Sequence, residues 1–409
     1  MRIAITSNGP GEFSGWVRPL VAALLRLAPE TDVTLFFVPD DYATGREPDV
    51  ARALFAGVRI VPARDYVRFA FGRAVAGAPT AADIVQYLGG DLLHAARVRA
   101  RLGGIATTYK FSSRRFARAG GRAYAVDAKN AAQLQRTGLS PQRVEIVGNL
   151  AVDGALGEAA GAFSPNAAED LRIAPGGVLI MPGARKHEIA HLVPFFLQVA
   201  TRLRALAPEL PVAFAISPFT SKEELSQALA GGAHPNWWAT RGTVVDGPDG
   251  MWLQAEGDHP PVPVVRDAMR YAPRARFVVT IPGTKCVELA ALGVPTLVTL
   301  GLNTPELVVI NGPLQYLGRI PGIGVPLKRA VAMKIDASFP LSAQPNMDAG
   351  EMLMPELRGT LTPGYVARRM AEYAVDDAAR ATASARLRTL YTAHVGAAER
   401  MARSLLGLT

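Results

Sequence analysis

The sequence predicts an α/β protein built from two successive doubly wound, Rossmann-like domains. Three observations point that way. Both halves alternate short β-rich runs with helical patterns, the arrangement that stacks βα units on parallel sheets. The length, 409 residues, suffices for two domains that each bury a core. A stretch around 154–172, "GALGEAAGAFSPNAAEDL", is rich in Gly, Ala and polar residues and reads as the linker between them.

In the first half "RIAIT" is a strand by its β-branched content, and "VRPLVAALLRL" carries apolar residues at helical spacing. "DVTLFFV" and "ADIVQYL" are further strands, and "LLHAARVRARLG" is the helix that follows the second. "RAYAV" and "RVEIVG" extend the sheet. "GGVLIM" opens the second series, followed by a helix over 187–206 and the strands "PVAFAIS" and "RFVVT". A helix over 285–292 and the strand "PTLVTL" continue it. After Pro363 the pattern is helical to the end, with an apolar stripe that includes Val366, Met370, Tyr373, Leu387 and Leu390. There is no internal repeat at periods of roughly 20–50 residues.

Composition excludes several classes. With 49% apolar and 19% charged residues the chain is globular, not disordered. No run approaches the roughly 18 apolar residues that span a bilayer. The opening "MRIAITSNGP" enters a strand directly and lacks the pattern of a secretory signal, so a cytoplasmic enzyme is expected. The single Cys286 rules out an intramolecular disulfide and a multi-cysteine metal site. A net charge of +9 suggests an anionic partner: a phosphorylated substrate, an anionic membrane surface or nucleic acid. Seven of the 44 cationic residues are Lys, and an arginine excess beside abundant Ala and Gly also fits biased base composition.

Doubly wound sheets bind ligands beyond the carboxyl ends of their strands, so the loops after strands are where chemistry is expected. In "FVVTIPGTKCVELAALGVPTLV" (277–298) a strand ends at Thr280, Pro282-Gly283 turns, and a helix begins near Thr284. Gly283 lets a phosphate approach the backbone, and the N–H groups of the first helical turn favour negative charge. Thr284 adds a hydroxyl, and Glu288, one turn on, can accept both hydroxyls of a ribose. The bland alternative is an ordinary strand-to-helix turn with a surface glutamate.

"MPGARKHEIAH" (181–191) admits two readings. As strand, turn and helix start, Gly183 lies at the turn, Arg185 reaches a phosphate or sugar, and Glu188 falls in the first helical turn, which makes all three donor-binding candidates. As His187-Glu188-x-x-His191 it matches the zinc-hydrolase pattern, which needs a third ligand that only Glu209 loosely offers. The strand–turn–helix context favours the first reading, and no metal is expected.

"SNGPGEFSGW" (7–16) is another glycine-rich strand-to-helix loop but not a dinucleotide fingerprint, so Gly11, Glu12 and Ser14 are acceptor-side candidates or part of a plain turn. Asp91, in "QYLGGDLLH" just past a strand, is placed for a general base, with His94 an alternative base or a capping residue. "RDYVRFAFGRA" (64–74) and "YKFSSRRFARAGGR" (109–122) interleave cations with aromatics. They read as solvated helix faces with core rings, or as contacts to an anionic bilayer; single-stranded nucleic acid is disfavoured.

These motifs together resemble lipid-A-disaccharide synthase, a glycosyltransferase of the two-Rossmann-domain GT-B type. The matching stretches are "GEFSG", "VGNLAVD" (147–153), "LIMPGARKHEI", "TIPGTKCVELAALGVPTLV" and "QPNMDAGEMLMPELRGTLTP" (344–363), in the family's order and over nearly the whole chain. The resemblance implies an N-terminal acceptor domain over 1–160, a UDP-sugar domain over 161–375, and a helical segment, 376–409, packing back on the first. It implies metal-free transfer of an acylated glucosamine from UDP to a lipid-linked or acylated sugar phosphate, peripheral to the membrane. Gly183, Arg185, Thr284, Glu288 and Asn346 would line the donor pocket, with Gly11, Glu12 and Ser14 on the acceptor loop. Four departures fall mainly on the acceptor side: Trp16 replaces an acidic residue, Gly89 stands where the family has an aspartate, "TTYKFSSRRF" takes the place of an aromatic stretch, and 232–263, with Trp237, Trp238 and Trp252, is elaborated. A related GT-B enzyme, either a UDP-sugar epimerase or a transferase with another lipid acceptor, and a degenerate nucleotide-sugar binding protein are the alternatives.

Overall fold

The β-rich runs assemble into two separate sheets. The computed structural model describes residues 1–40, 43–163, 175–231, 235–247, 250–305 and 324–408, except the side chains of 332 and 335–337. The chain divides into two units, Met1–Ala167 with Tyr391–Thr409, and Ala168–Leu390.

The first unit holds β1 (Arg2–Ser7), β2 (Asp32–Phe37), β3 (Arg59–Val61), β4 (Ile84–Tyr87), β5 (Ile105–Tyr109), β6 (Arg122–Ala125) and β7 (Val144–Ile146). They form one parallel sheet in the order β3-β2-β1-β4-β5-β6-β7. Strand order reverses between β1 and β4, which pair with Thr6 opposite Tyr87. That reversal opens a crevice at the carboxyl edge, where the loop after β1 meets the loop after β4.

The segment 7–16 is less loop-like than its glycines predict. Pro10 starts a helical turn over Pro10–Glu12, a π-helical stretch runs Phe13–Val17, and the helix Arg18–Leu27 continues without a break. Pro at the first helical position needs no partner for its missing N–H, so the turn begins there. The linker expected at 154–172 is also shorter. Residues Leu150–Ala159 are a helix whose cap, Asn149, accepts from the Ala151 N–H at 3.1 Å. Its glycines serve packing: a side chain at Gly154 would come within 3.1 Å of the Ser14 carbonyl. Arg18 and Glu158 pair at 2.5 Å between the two helices, both side chains buried. Residues 164–172 of the expected linker lie outside the described residues.

The helix expected from Pro363 to the end is three helices, Pro363–Val375, Asp377–Tyr391 and Ala397–Leu406. Gly396, at φ 83°, supplies the left-handed turn before the last. The chain returns to the first unit at Tyr391, fifteen residues beyond the boundary expected at 376. Asp153 secures the return, accepting from the N–H groups of Gly396 (2.8 Å) and Ala398 (2.6 Å) at the last helix's start.

The second unit holds β8 (Val178–Met181), β9 (Val212–Ala215), β10 (Gly242–Gly247), β11 (Gly250–Ala255), β12 (Val262–Val265), β13 (Phe277–Thr280), β14 (Thr296–Gly301) and β15 (Glu356–Gly359). Their order is β10-β11-β12-β9-β8-β13-β14-β15. The hairpin β10–β11 joins antiparallel at one edge, and the remaining strands are parallel. The core lies between this sheet and the helices Lys186–Leu206 and Pro363–Val375, with Phe196, Leu203, Val366 and Met370 buried.

Candidate functional site

In the second sheet the order reverses between β8 and β13, which pair with Met181 opposite Thr280. The two glycine turns, about a hundred residues apart in sequence, therefore stand side by side at one carboxyl edge. Thr280 ties them by donating to the Met181 carbonyl at 3.2 Å. Gly183, Arg185 and Glu188 are thus brought together with Gly283, Thr284 and Glu288.

The turns look alike in sequence and differ in chemistry. At the first, the Glu188 carboxylate folds back over its own helix start and accepts from the N–H groups of Ala184 and Arg185, each at 2.9 Å. The Arg185 guanidinium donates to its other oxygen at 3.1 Å. Gly183 sits at φ 105°, and a side chain there would fall 2.3 Å from Glu188 Oε2. Glu188, expected to contact donor, instead occupies the anion position of the Lys186 helix. Arg185 remains partly exposed at the rim.

The second turn is open. The helix Thr284–Ala291 carries no side-chain cap, and Gly283, exposed and extended, has nothing within 4 Å of where a side chain would start. One turn on, Glu288 is buried and paired with Lys285 at 2.6 Å. Sequence reasoning missed Lys285, although the Lys-x-x-Glu spacing carried the signal. The Cys286 thiol behind the turn is fully buried, and burial pushes it up to about 12, which disfavours the thiolate.

Asn346 stands apart from both turns in function. It is completely buried, donates to the Met354 carbonyl (2.7 Å) and to Glu356 (2.8 Å), and accepts from the N–H groups of Leu353 (2.9 Å) and Met354 (2.8 Å). With all four positions engaged it organises a loop, where the sequence suggested donor contact.

A cavity of about 210 Å³ lies behind the two turns, with Phe195, Phe196, Trp237 and Leu361 among its walls. His187 and His191 line it, and burial lowers the His187 imidazole, which favours its neutral form. Among the described residues no group of three His, Cys, Asp or Glu side chains is arranged to hold a metal ion. The Glu188 of the zinc pattern is engaged with backbone.

In the first unit the β1 and β4 loops adjoin, yet the expected residues play several parts. Ser14 is buried, and its carbonyl faces the close helix contact at Gly154. Glu12 and Gly11 are partly exposed, and the Tyr87 hydroxyl is pushed up chiefly by burial, with the carboxylates of Glu12, Asp91 and Asp40 adding to the rise. Asp91 caps the helix Leu92–Leu102, accepting from the Leu93 N–H at 2.7 Å. His94 shares a 2.8 Å hydrogen bond with the Tyr66 hydroxyl, and burial lowers its imidazole against the pull of Asp91 and Asp40. Sequence reasoning missed the pair beside them, Asn8 donating to Asp40 at 2.8 Å. Trp16, at the family's acidic position, packs edge-on against Tyr109 with centroids 5.6 Å apart.

The cation–aromatic segments divide. Tyr66, Phe69 and Tyr109 are core rings, whereas Phe71 is 76% exposed and Phe111 46%. Among the described residues no helix is long and apolar enough to cross a membrane.

No family model matches the chain, and neither does any curated protein. Solved structures do. The UDP complex of S. aureus MnaA superposes with a TM-score of 0.59 at 12% identity, covering 100% of this chain and 97% of that one. The UDP-N-acetylglucosamine 2-epimerase of Neisseria meningitidis, bound to UDP-GlcNAc, gives 0.56 at 10% identity, covering all of both chains. A putative UDP-N-acetylglucosamine 2-epimerase from Listeria monocytogenes gives 0.52 at 13%, covering 99% and 96%. At such identities the likeness is one of fold: the protein has the GT-B fold of two Rossmann-like domains.

Proposed function

We propose that the protein is an enzyme acting on a UDP-sugar held by the second unit. The observation that carries this is the uncapped start of the Thr284 helix with Glu288 one turn on. Its N–H groups suit a diphosphate, and Lys285, beside Glu288, adds a cation. The buried Glu288 carboxylate suits the hydroxyls of a ribose.

Two reactions compete for that substrate. Epimerisation of UDP-N-acetylglucosamine is supported by the named activities of the N. meningitidis and Listeria proteins that share the fold. Transfer of an acylated glucosamine to a lipid-linked or acylated sugar phosphate is supported by the ordered motifs resembling lipid-A-disaccharide synthase. In transfer, the open helix start and Lys285 stabilise the departing diphosphate, while Asp91 or His94 would take the proton of the attacking hydroxyl. Exposed Phe71 beside Arg68 and Arg73 suits contact with an anionic membrane surface.

The experiment is calorimetry with UDP, then proton NMR of UDP-N-acetylglucosamine incubated with the enzyme alone. Formation of the 2-epimer selects epimerisation. UDP release only after an acylated sugar phosphate is added selects transfer, and UDP binding without either identifies a degenerate binding protein. Absence of UDP binding, or normal binding by a folded Glu288→Ala variant, sinks the site assignment.

A further inference from the structure

The reading above uses the open face of the Gly283 turn and leaves the cavity behind it without a task. Its walls are Leu192, Phe195, Phe196, Trp237, Ile281 and Leu361, most of them under a tenth exposed. Phe195 meets both Phe196 and Trp237 edge-on, each at 5.3 Å, so the aromatic wall is fixed. Two threonines line it as well, and both are engaged with protein: Thr299 donates to the Thr280 carbonyl (3.1 Å), and the Trp237 indole donates to Thr304 (3.2 Å). The wall these residues form is therefore apolar, while His187, Glu188 and His191 line the other side. Charge sits at one side, where Arg185 is partly exposed.

Ile281 and Pro282 line the cavity and lead directly into Gly283 and Thr284. A ligand whose anionic part rests on the Thr284 helix start thus has its neighbouring group at the cavity. We infer that this cavity binds a short apolar substituent of an anionic ligand. Size sets the limit. A cavity of roughly 150 Å³ holds benzene, six carbons, so the 210 Å³ of this open-mouthed cavity has room for roughly eight. Resting on the UDP-sugar reading, the inference makes that substituent a short acyl group on the sugar. An acetyl group would leave much of the space unfilled, and a long fatty chain would exceed it.

Straight-chain carboxylates from butanoate to decanoate test this directly, titrated calorimetrically with UDP measured alongside. Affinity should rise about fourfold per added CH₂ as far as octanoate and level off at decanoate. Arg185→Gln should weaken every member about tenfold, and Leu192→Trp, which fills the space, should remove octanoate binding and keep UDP binding. Affinity independent of chain length in the wild-type protein overturns the inference, whatever the variants do. So does octanoate binding that survives Leu192→Trp. UDP binding without octanoate binding defeats the cavity inference alone, and octanoate binding without UDP binding defeats the nucleotide reading and leaves the cavity standing.

Discussion

Replacing Asn346 with Ala separates a structural role from a ligand contact. The side chain makes four hydrogen bonds in a fully buried setting, two from backbone N–H groups, one to a carbonyl and one to Glu356. At about 1 kcal/mol net for each, the loss is about 4 kcal/mol, more if Leu353 and Met354 find no water to replace the amide. For a unit of this size that corresponds to a fall in Tm of roughly 8–16 °C. Urea unfolding and calorimetry measure the stability, and UDP titration well below the transition measures the site. The expected result is a large stability loss with UDP affinity unchanged within about threefold. Asn346→Asp should be no better, because it removes the donor and sets a second carboxylate against Glu356. A loss under about 1 kcal/mol together with abolished UDP binding would refute the reasoning and return Asn346 to the donor pocket.

Three further outcomes are expected. Glu188→Ala should cost about 1 kcal/mol as a lost helix cap and leave UDP affinity unchanged; a marked gain in affinity would mean the Lys186 helix holds the diphosphate after Glu188 is cleared from it. Gly283→Val should leave stability within about 0.5 kcal/mol and weaken UDP at least tenfold, whereas Gly183→Ala should destabilise by roughly 2 kcal/mol, as unfolding titrations would show. The Glu356 carboxyl would rise from burial alone, but hydrogen bonds from Ser342, Ala343 and Asn346 outweigh that and hold it below its ordinary 4.5. A depressed carboxylate stabilises the fold above its unfolded value and loses that contribution as pH falls through the folded value. Melting temperatures should therefore drop below about pH 4.5, with a flatter profile in Glu356→Gln.

The sheets were legible because their central strands are buried on both faces, so "RIAIT", "DVTLFF" and "VLIM" read as continuous β-branched and aliphatic runs. "IATTY" escaped because three of its five residues are polar or small in a strand whose hydroxyls are buried and bonded, as Thr107 is to Gln86. The hairpin β10–β11 escaped because its strands "GTVVDG" and "GMWLQA" are half exposed and alternate weakly. The helix over Leu150–Ala159 was hidden by Gly154 and Gly157, which local propensity reads as breakers. Gly154 is there because a second helix passes too closely for a side chain, a fact of tertiary packing that no window of sequence contains.

The candidate site shows the same division at finer grain. Two strand–glycine–helix motifs, each with a glutamate following, both suggested a phosphate loop, 277–298 more strongly than 181–191. What separates them is which way each glutamate turns. Glu188, three residues past its cap, reaches back to the N–H groups of Ala184 and Arg185 and supplies the negative charge its helix start attracts. Glu288 also lies five positions past its glycine, but its helix starts one residue after Gly283, at Thr284, whereas the Lys186 helix starts three residues after Gly183; its carboxylate therefore lies a full turn in and meets Lys285 instead. Two residues of difference in where the helix begins thus decide whether the anion position is filled by the chain or left for a ligand. Glu188→Ala combined with Gly283→Val should therefore transfer part of the lost UDP affinity to the vacated Lys186 helix start, and a double variant no better than Gly283→Val alone would show that the first turn cannot hold a diphosphate even when emptied.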